Sequence, residues 1–158
     1  MKTIVIGSLN TKLSSVLSGV AGEYFVAAEL TARGYIASIT LRNTKGVDIV
    51  CSNSDASKSV AIQVKTNRGS SRSWVLNQKG EDYFADNLFY VFVNLNNSEQ
   101  APDYFVVPSK IVATHIKESH QTWLDTPGRE GRPHVDNTMR KFLDADEKYL
   151  KRWDLLGL

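Results

Sequence analysis

The chain has 158 residues, one domain's worth on a soft prior of roughly 150 residues per domain. Hydrophobic residues at 42% and charged residues at 23% exclude a disordered or fibrous protein. The net charge of +2 is too small to mark a nucleic-acid binder on its own, and the single cysteine, Cys51, leaves no intrachain disulfide, as in a reducing cytoplasm.

The apolar start Met1–Ile6 ends at Gly7, and Asn10 and Lys12 interrupt before a signal-peptide core of about 7–15 residues can form. No later stretch approaches the roughly 18 apolar residues of a membrane span, so a soluble cytoplasmic protein without a membrane partner is expected. Ser14 to Arg33 reads as a helix closed by Gly34. Strand-like runs follow at Tyr35–Leu41, Val47–Cys51 and Val60–Thr66. The turn formers from Ser52 to Ser59 join the last two into a hairpin. Asn67–Ser73 is a polar loop, and a short helix near Gln78–Ala85 follows Trp74-Val75-Leu76. Leu88–Val93 has the continuous apolar character of a strand buried on both faces. Tyr104–Val107 is a strand stopped by Pro108, a helix runs from Ser109 to about Glu118, and Pro127–Pro133 is a loop.

A last helix is expected over Lys141–Leu156, with Phe142, Ala145, Tyr149, Trp153 and Leu156 at helical spacing. The pairs Asp144–Lys148 and Glu147–Lys151 would each support it by about 0.2–0.5 kcal/mol. The stripe reads as a packing face, with a homodimer contact as the alternative. The order α-β-β-β-α-β-β-α plus this C-terminal helix makes a mixed α/β, α+β-like, single domain: an N-terminal extension over 1–13, a core over 14–107 and a helical part over 108–158. No Gly-rich phosphate loop supports nucleotide binding.

Four residues are polar where the pattern asks for apolar ones. In Gly46-Val47-Asp48-Ile49-Val50-Cys51, alternation puts Val47, Ile49 and Cys51 on one face and leaves Asp48 on the other, in a strand where Asp is disfavoured. In the next strand Val60, Ile62 and Val64 face one way, and Gln63 and Lys65 the other, about 6.6 Å apart at the usual rise. If Asn53–Lys58 form the hairpin loop, Ser52 pairs with Ser59 and Asp48 falls opposite Gln63. Opposed Cβ atoms lie about 4.5–5.5 Å apart, close enough to share one metal ion. On the first helix Glu29 has Arg33 four residues on, a surface pair. Glu23 sits instead among Val20, Val26, Ala27 and Leu30, where a carboxylate needs a partner.

The string Gly22-Glu23-Tyr24-Phe25-Val26-Ala27-Ala28-Glu29-Leu30, ending Arg33-Gly34-Tyr35, followed by Gly46-Val47-Asp48-Ile49 and Ile62-Gln63-Val64-Lys65, resembles the PD-(D/E)XK nuclease superfamily. The nearest branch is that of Holliday-junction resolvases and Mrr-type restriction nucleases, over about Gly22 to Thr66. The resemblance implies a restriction-endonuclease-like core with a central mixed sheet flanked by helices. It implies a Mg²⁺- or Mn²⁺-dependent endonuclease acting on duplex or branched DNA, with RNA also open. Carried over, Asp48 is the central metal-binding carboxylate, Gln63 stands at the second acidic position, Lys65 is the lysine and Glu23 the first-helix glutamate. Metal ligands would then be Asp48, Gln63 and Glu23. Val47 replaces the motif's proline. Gln63 replaces Asp or Glu, which leaves these four side chains at −1 instead of −2 and weakens metal affinity.

Phosphodiester hydrolysis needs an activated water and charge neutralisation at phosphorus and the leaving oxygen, which an oxygen-ligated divalent ion and a lysine supply. Between Lys58 and Gly80 stand Lys58, Lys65, Arg68, Arg72 and Lys79 with no acid, a segment suited to tracking phosphates. Trp74 beside it is either a base-stacking ring or packing under the sheet. His115 and His120 are spaced around a helix and make no metal pair, His134 is a loop residue, and Cys51 reads as core. Asp125, Glu130 and Asp136 have no usable spacing. Two other readings stand beside the nuclease: a nucleic-acid-binding module that kept the fold and lost catalysis through Gln63, and an α/β protein-interaction domain in which Asp48 and Lys65 are a buried ion pair.

Overall fold

The computed structural model describes residues 13–41 and 46–158; the N-terminal extension lies outside these apart from Leu13. In chain order the elements are α1 (Ser15–Ala32), β1 (Ile36–Ile39), β2 (Ile49–Ser52), β3 (Ser59–Asn67), β4 (Ser73–Asn77), β5 (Leu88–Asn94), β6 (Asp103–Pro108), α2 (Ser109–Asp125) and β7 (Met139–Leu143). Five strands form a mixed sheet in the order β1-β2-β3-β5-β6, and β4 and β7 form a separate antiparallel pair. All contacts within the large sheet are antiparallel except β3 with β5, which is parallel.

Local chemistry sets the boundaries of α1. The Ser14 hydroxyl accepts the Leu17 N–H at 3.2 Å, satisfying a donor that the first turn leaves open. At the far end Gly34 takes a φ of +88°, where an L side chain would be strained. The buried positions Ser18, Gly22, Val26 and Leu30 recur every four residues, one stripe laid on the sheet. Gly22 lies where helix and sheet touch: a Cβ there would overlap Thr66 Oγ1 and stand 3.0 Å from Thr66 Cβ.

The β2–β3 hairpin has the register expected from its turn, with Ser52 opposite Ser59 and Ile49 opposite Ile62. Asn53 closes the turn, its Oδ1 accepting the Lys58 N–H at 3.0 Å and its own N–H donating to Lys58 O at 3.2 Å. Alternation divides the sheet into two cores. Ile49, Cys51, Ile62, Val64, Val91 and Val93 meet Val26 and Leu30 of α1. On the other face Tyr90, Phe92 and Phe105 meet Val112 and Ile116 of α2 together with Trp74, Leu76 and Phe142 of the small sheet. The central strand β5 is buried at every residue, as its unbroken apolar run requires. Cys51 is core, and burial pushes its thiol up to about 11.

The expected C-terminal helix over Lys141–Leu156 does not form. Residues 139–143 are β7, Asp144 opens a turn, and Glu147 and Lys151 take positive φ, conformations that no α-helix contains. The Asp144 carboxylate accepts the N–H groups of Lys148 and Tyr149, both at 3.0 Å, a local bond that competes with helix. Glu147 pairs with Arg72, not with Lys151. The apolar stripe is divided: Phe142 packs in the α2 core, Trp153 and Leu156 in the α1 core. Between them the chain passes along the free edge of β6, where Val106 N–H donates to Tyr149 O at 2.9 Å and Lys151 N–H to Tyr104 O at 2.7 Å. That passage covers an edge otherwise open to pairing, and it leaves no helical face for the dimer contact that was the alternative to packing. The helix expected near Gln78–Ala85 is a single 3-10 turn at Gln78–Glu81, and α2 extends beyond Glu118 to Asp125.

Candidate active site

Where β2 meets β3 the ladder begins at Ile49, two residues later than the expected start of the strand at Val47. Asp48 is not inside β2 but just ahead of it. Its N–H donates to Ile62 O at 2.8 Å, while its Oδ2 accepts the Val64 N–H at 2.7 Å. A carboxylate thus stands in for the main-chain acceptor that a continuing strand would offer, which is how an Asp is tolerated there. Both bonds bracket Gln63. Continuing the register past Ile49–Ile62 places Asp48 opposite Gln63, and the parallel register places Tyr90 on Gln63's other side. Asp48, Gln63 and Tyr90 therefore form one row across the sheet, on the face opposite α1. Lys65 stands in the next row beside Phe92.

Gln63 and Lys65 line a cavity of about 450 Å³ together with Asn77, Lys79, Tyr83 and Tyr90. Its far wall is residues 78–85, and that segment is fixed at both ends. Glu81 is ion-paired to the buried Arg140 of β7, and the Ser109 hydroxyl bonds both the N–H and the carbonyl of Ala85, at 3.1 and 3.0 Å. Neither the Gln63 carboxamide nor the Lys65 ammonium is hydrogen-bonded or ion-paired to a described residue. The buried Asp48–Lys65 ion pair of the interaction-domain reading is absent among the described residues. Tyr90 is almost wholly buried, and burial first, then Tyr83 and Asp48, pushes its phenol up to about 12. It stays a neutral hydroxyl beside the carboxylate.

Glu23 is placed differently. It is half-buried on α1, next to Gly22, on the helix that packs against the Ile62–Val64–Thr66 face. The other three candidates converge on the opposite face. Glu29 pairs with Arg33 at 2.6 Å, as its spacing requires.

The basic segment does not act as one patch. Lys58 sits in the hairpin turn and donates to Gly157 O at 3.0 Å, seven residues or about 23 Å along the strand from Lys65. Arg68 donates to Leu13 O at 2.7 Å, and Arg72 is committed to Glu147 while lying over the Phe105 ring. Only Lys65 and Lys79 of the five line the cavity. Trp74 is not a stacking ring: it is 1% exposed, packs against Phe92 and Phe105, and donates its indole N–H to Val93 O at 3.3 Å. His115 and His120 both face a second cavity between α2 and β7, but with separate partners. His115 accepts the Leu143 N–H at 3.3 Å, and His120 meets Asp136 at 2.8 Å. His134 stacks on Trp123 at 4.1 Å.

No family model and no curated protein matches the chain. Among solved structures, the bacterial homing endonuclease I-Ssp6803I superposes over 92% of this chain and 94% of its own, with 14% identity and a TM-score of 0.53. The chain has the restriction-endonuclease-like fold. That is the fold class the motifs implied. Hjc, a Holliday junction resolvase from Archaeoglobus fulgidus, superposes over 84% of this chain and 88% of its own, with 14% identity and a TM-score of 0.45.

Within this fold, sequence patterning missed Tyr83, Tyr90 and Asn77. Tyr90 sits in a run that reads simply as buried strand, and only the β3–β5 register brings it beside Gln63. Tyr83 carries one indirect signal. Gly46 takes a φ of +68°, and a Cβ on it would stand 2.5 Å from the Tyr83 ring, so the glycine ahead of Asp48 is what lets that ring seat.

Proposed function

We propose that the protein is a divalent-metal-dependent nuclease acting on DNA, with Asp48, Gln63 and Lys65 at the reacting centre. The observation that carries this reading is that Gln63 and Lys65, without partners among the described residues, face a cavity beside Asp48 in a nuclease-like fold. Unpaired polar groups in a half-buried site are costly, and a phosphodiester is a ligand that would satisfy them.

Among the described residues no three His, Cys, Asp or Glu gather around a metal-sized space. Mg²⁺ does not require that. It is ordinarily held by one or two carboxylates and keeps water and phosphate oxygens for the rest of its shell. The Asp48 carboxylate and the Gln63 amide oxygen fit such a site for Mg²⁺ or Mn²⁺, and Glu23, carried by α1 on the other face of the sheet, is left out of it. When bound, the ion would neutralise phosphate charge and acidify a water. The rest is the work of the chain. Lys65 would donate to a non-bridging oxygen and stabilise the charge that grows there. Tyr90, held neutral, can hydrogen-bond without adding charge. The Val64 N–H fixes one Asp48 oxygen and so orients the other.

The test is DNA cleavage in Mg²⁺ or Mn²⁺. Asp48→Ala abolishes it, and Gln63→Glu, which restores the missing charge, lowers the metal concentration needed for half-maximal activity. Equal cleavage by Asp48→Ala and wild type, with contaminating nuclease excluded, overturns the assignment. Salt-sensitive DNA binding without cleavage by any form replaces it with a nucleic-acid-binding module.

A further inference from the structure

We infer that the outer edge of β1 is an interface with a second copy of this chain, paired antiparallel across a two-fold axis at Ser38, so that two candidate sites face one side of a continuous sheet. The pairing stands on the backbone alone; what it does for cutting rests on the nuclease reading above. The large sheet has two edges, and the chain treats them differently. The edge of β6 is covered by the passage of Tyr149 and Lys151. β1 has no such cover. Its bonds to β2 run through the even positions, with Thr40 N–H donating to Asp48 O at 2.9 Å, so the N–H and C=O groups of Ala37 and Ile39 point outward. Neither residue has a hydrogen-bond partner on that side among the described residues.

Nothing local guards this edge. An open edge is ordinarily blunted by Lys, Pro, a bulge or an inward charge. Ile36-Ala37-Ser38-Ile39-Thr40 carries no charge and no proline, and β1 pairs with β2 in unbroken register. Ile36 is 53% exposed, and Ile39 is exposed as well. The edge is also its own complement. Setting Ala37 opposite the second copy's Ile39, and Ile39 opposite its Ala37, pairs every outward N–H and C=O; any other symmetric register leaves some of them open. On the α1 face each Ile39 then covers an alanine. On the other face each Ile36 meets a threonine, and Ser38 meets its own counterpart, a side chain small enough for a non-hydrogen-bonded pair with Cα atoms about 4.5 Å apart.

The same register fixes where the two sites stand. Opposed residues of an antiparallel pair share a face. Ser38 lies opposite Val50, away from α1, on the face that carries Asp48, Gln63 and Tyr90. The axis is therefore perpendicular to the sheet, and both sites look out on one side. Asp48 stands opposite Thr40, two residues beyond the axis. Its counterpart is three strand spacings across and four residues along, about 14 Å in each direction and about 20 Å in all. A DNA groove about 12 Å wide with a phosphate at each rim is of that order, so the pair can present one site to each strand. A single copy reaches one strand only.

The pairing is tested in EDTA and without DNA. Ser38→Cys, oxidised with diamide at micromolar protein, forms a disulfide-linked dimer, since Cα atoms about 4.5 Å apart lie within the disulfide range of about 4.4–6.8 Å. Ile36→Cys, whose counterpart is about 14 Å away along the strand, stays monomeric, and the native Cys51 is buried and does not compete. Sedimentation from micromolar to near-millimolar protein shows the wild type self-associating. Ser38→Lys, which opposes like charges on the axis, associates about fivefold more weakly, its fold checked by circular dichroism. Cross-linking of neither cysteine variant or of both alike, a wild type that stays monomeric, or self-association unchanged in Ser38→Lys overturns the β1 interface. In Mg²⁺ the wild type cuts both strands of a duplex where Ser38→Lys leaves nicks. Cross-linking in the expected pattern with no cleavage of any DNA overturns the nuclease reading alone, and cleavage without self-association overturns the pairing alone.

Discussion

The contact between α1 and β3 at Gly22 and Thr66 fixes how the helix carrying Glu23 lies beside the strand carrying Lys65. Gly22→Ala probes it. In an isolated helix that change is favourable by about 1 kcal/mol, because alanine loses less backbone freedom on folding. Here the new methyl would overlap Thr66 Oγ1, and Thr66 Cβ and Cγ2 lie 3.0 and 3.1 Å away. Rotation about χ1 does not relieve this, since a β-branched side chain fills two of its three positions whichever way it turns. Overpacking a tight contact costs about 1–3 kcal/mol, and contact with three atoms of one residue puts this case at the upper end. Set against the helix gain, the net loss is about 2 kcal/mol, read as a lower urea midpoint with the slope unchanged. Thr66→Ala in the same chain removes Oγ1 and Cγ2 and recovers about half of that, a coupling that a double-mutant cycle isolates. Gly22→Ala equal to or more stable than wild type would refute the close approach.

Trp74→Ala destabilises by about 3–5 kcal/mol, because its ring fills the core between Phe92 and Phe105; a loss of DNA affinity at unchanged urea midpoint would contradict that placement. Lys79→Ala lowers the slope of log affinity against log salt by about one, while Arg72→Ala changes it less because Glu147 already occupies the guanidinium; equal changes would show that the patch acts as a whole. Burial lowers the pKa of His115, with Glu118 and Asp144 opposing more weakly. The unfolded chain therefore takes up the proton first, and the stability His115 contributes is present above its unfolded pKa and lost as pH falls through the folded one. His115→Gln flattens that acid-side decline in thermal melts, and an unaltered decline would mean other groups cause it.

The sequence legibly held what local rules dictate. Ser14 and Gly34 mark both ends of α1, Asn53 to Lys58 set a turn and with it the register opposing Asp48 to Gln63, and the apolar run of β5 declares a strand buried on two faces. Parts decided by distant contacts were not legible. Phe142, Tyr149, Trp153 and Leu156 are spaced as on a helix, yet the chain that bears them passes along the edge of β6 and feeds two cores. A spacing of apolar residues does not say whether one core or two will receive them. The same limit hid the β4–β7 pair, whose strands are separated by more than sixty residues, and hid Tyr90, brought to Gln63 only by a parallel register. The basic segment misled for a related reason: charge along a sequence does not show which cations find partners, and Lys58, Arg68 and Arg72 all did.

The most direct measurement compares wild type with Lys65→Ala on duplex, branched and single-stranded DNA in Mg²⁺ or Mn²⁺. Lys65 has no partner among the described residues, so its removal leaves the fold intact while taking away the group that meets developing phosphate charge. Metal-dependent cleavage by the wild type, lost in Lys65→Ala at unchanged thermal stability, is the predicted result. Cleavage retained in the variant, or none from the wild type on any substrate, would contradict a nuclease centre at Asp48, Gln63 and Lys65.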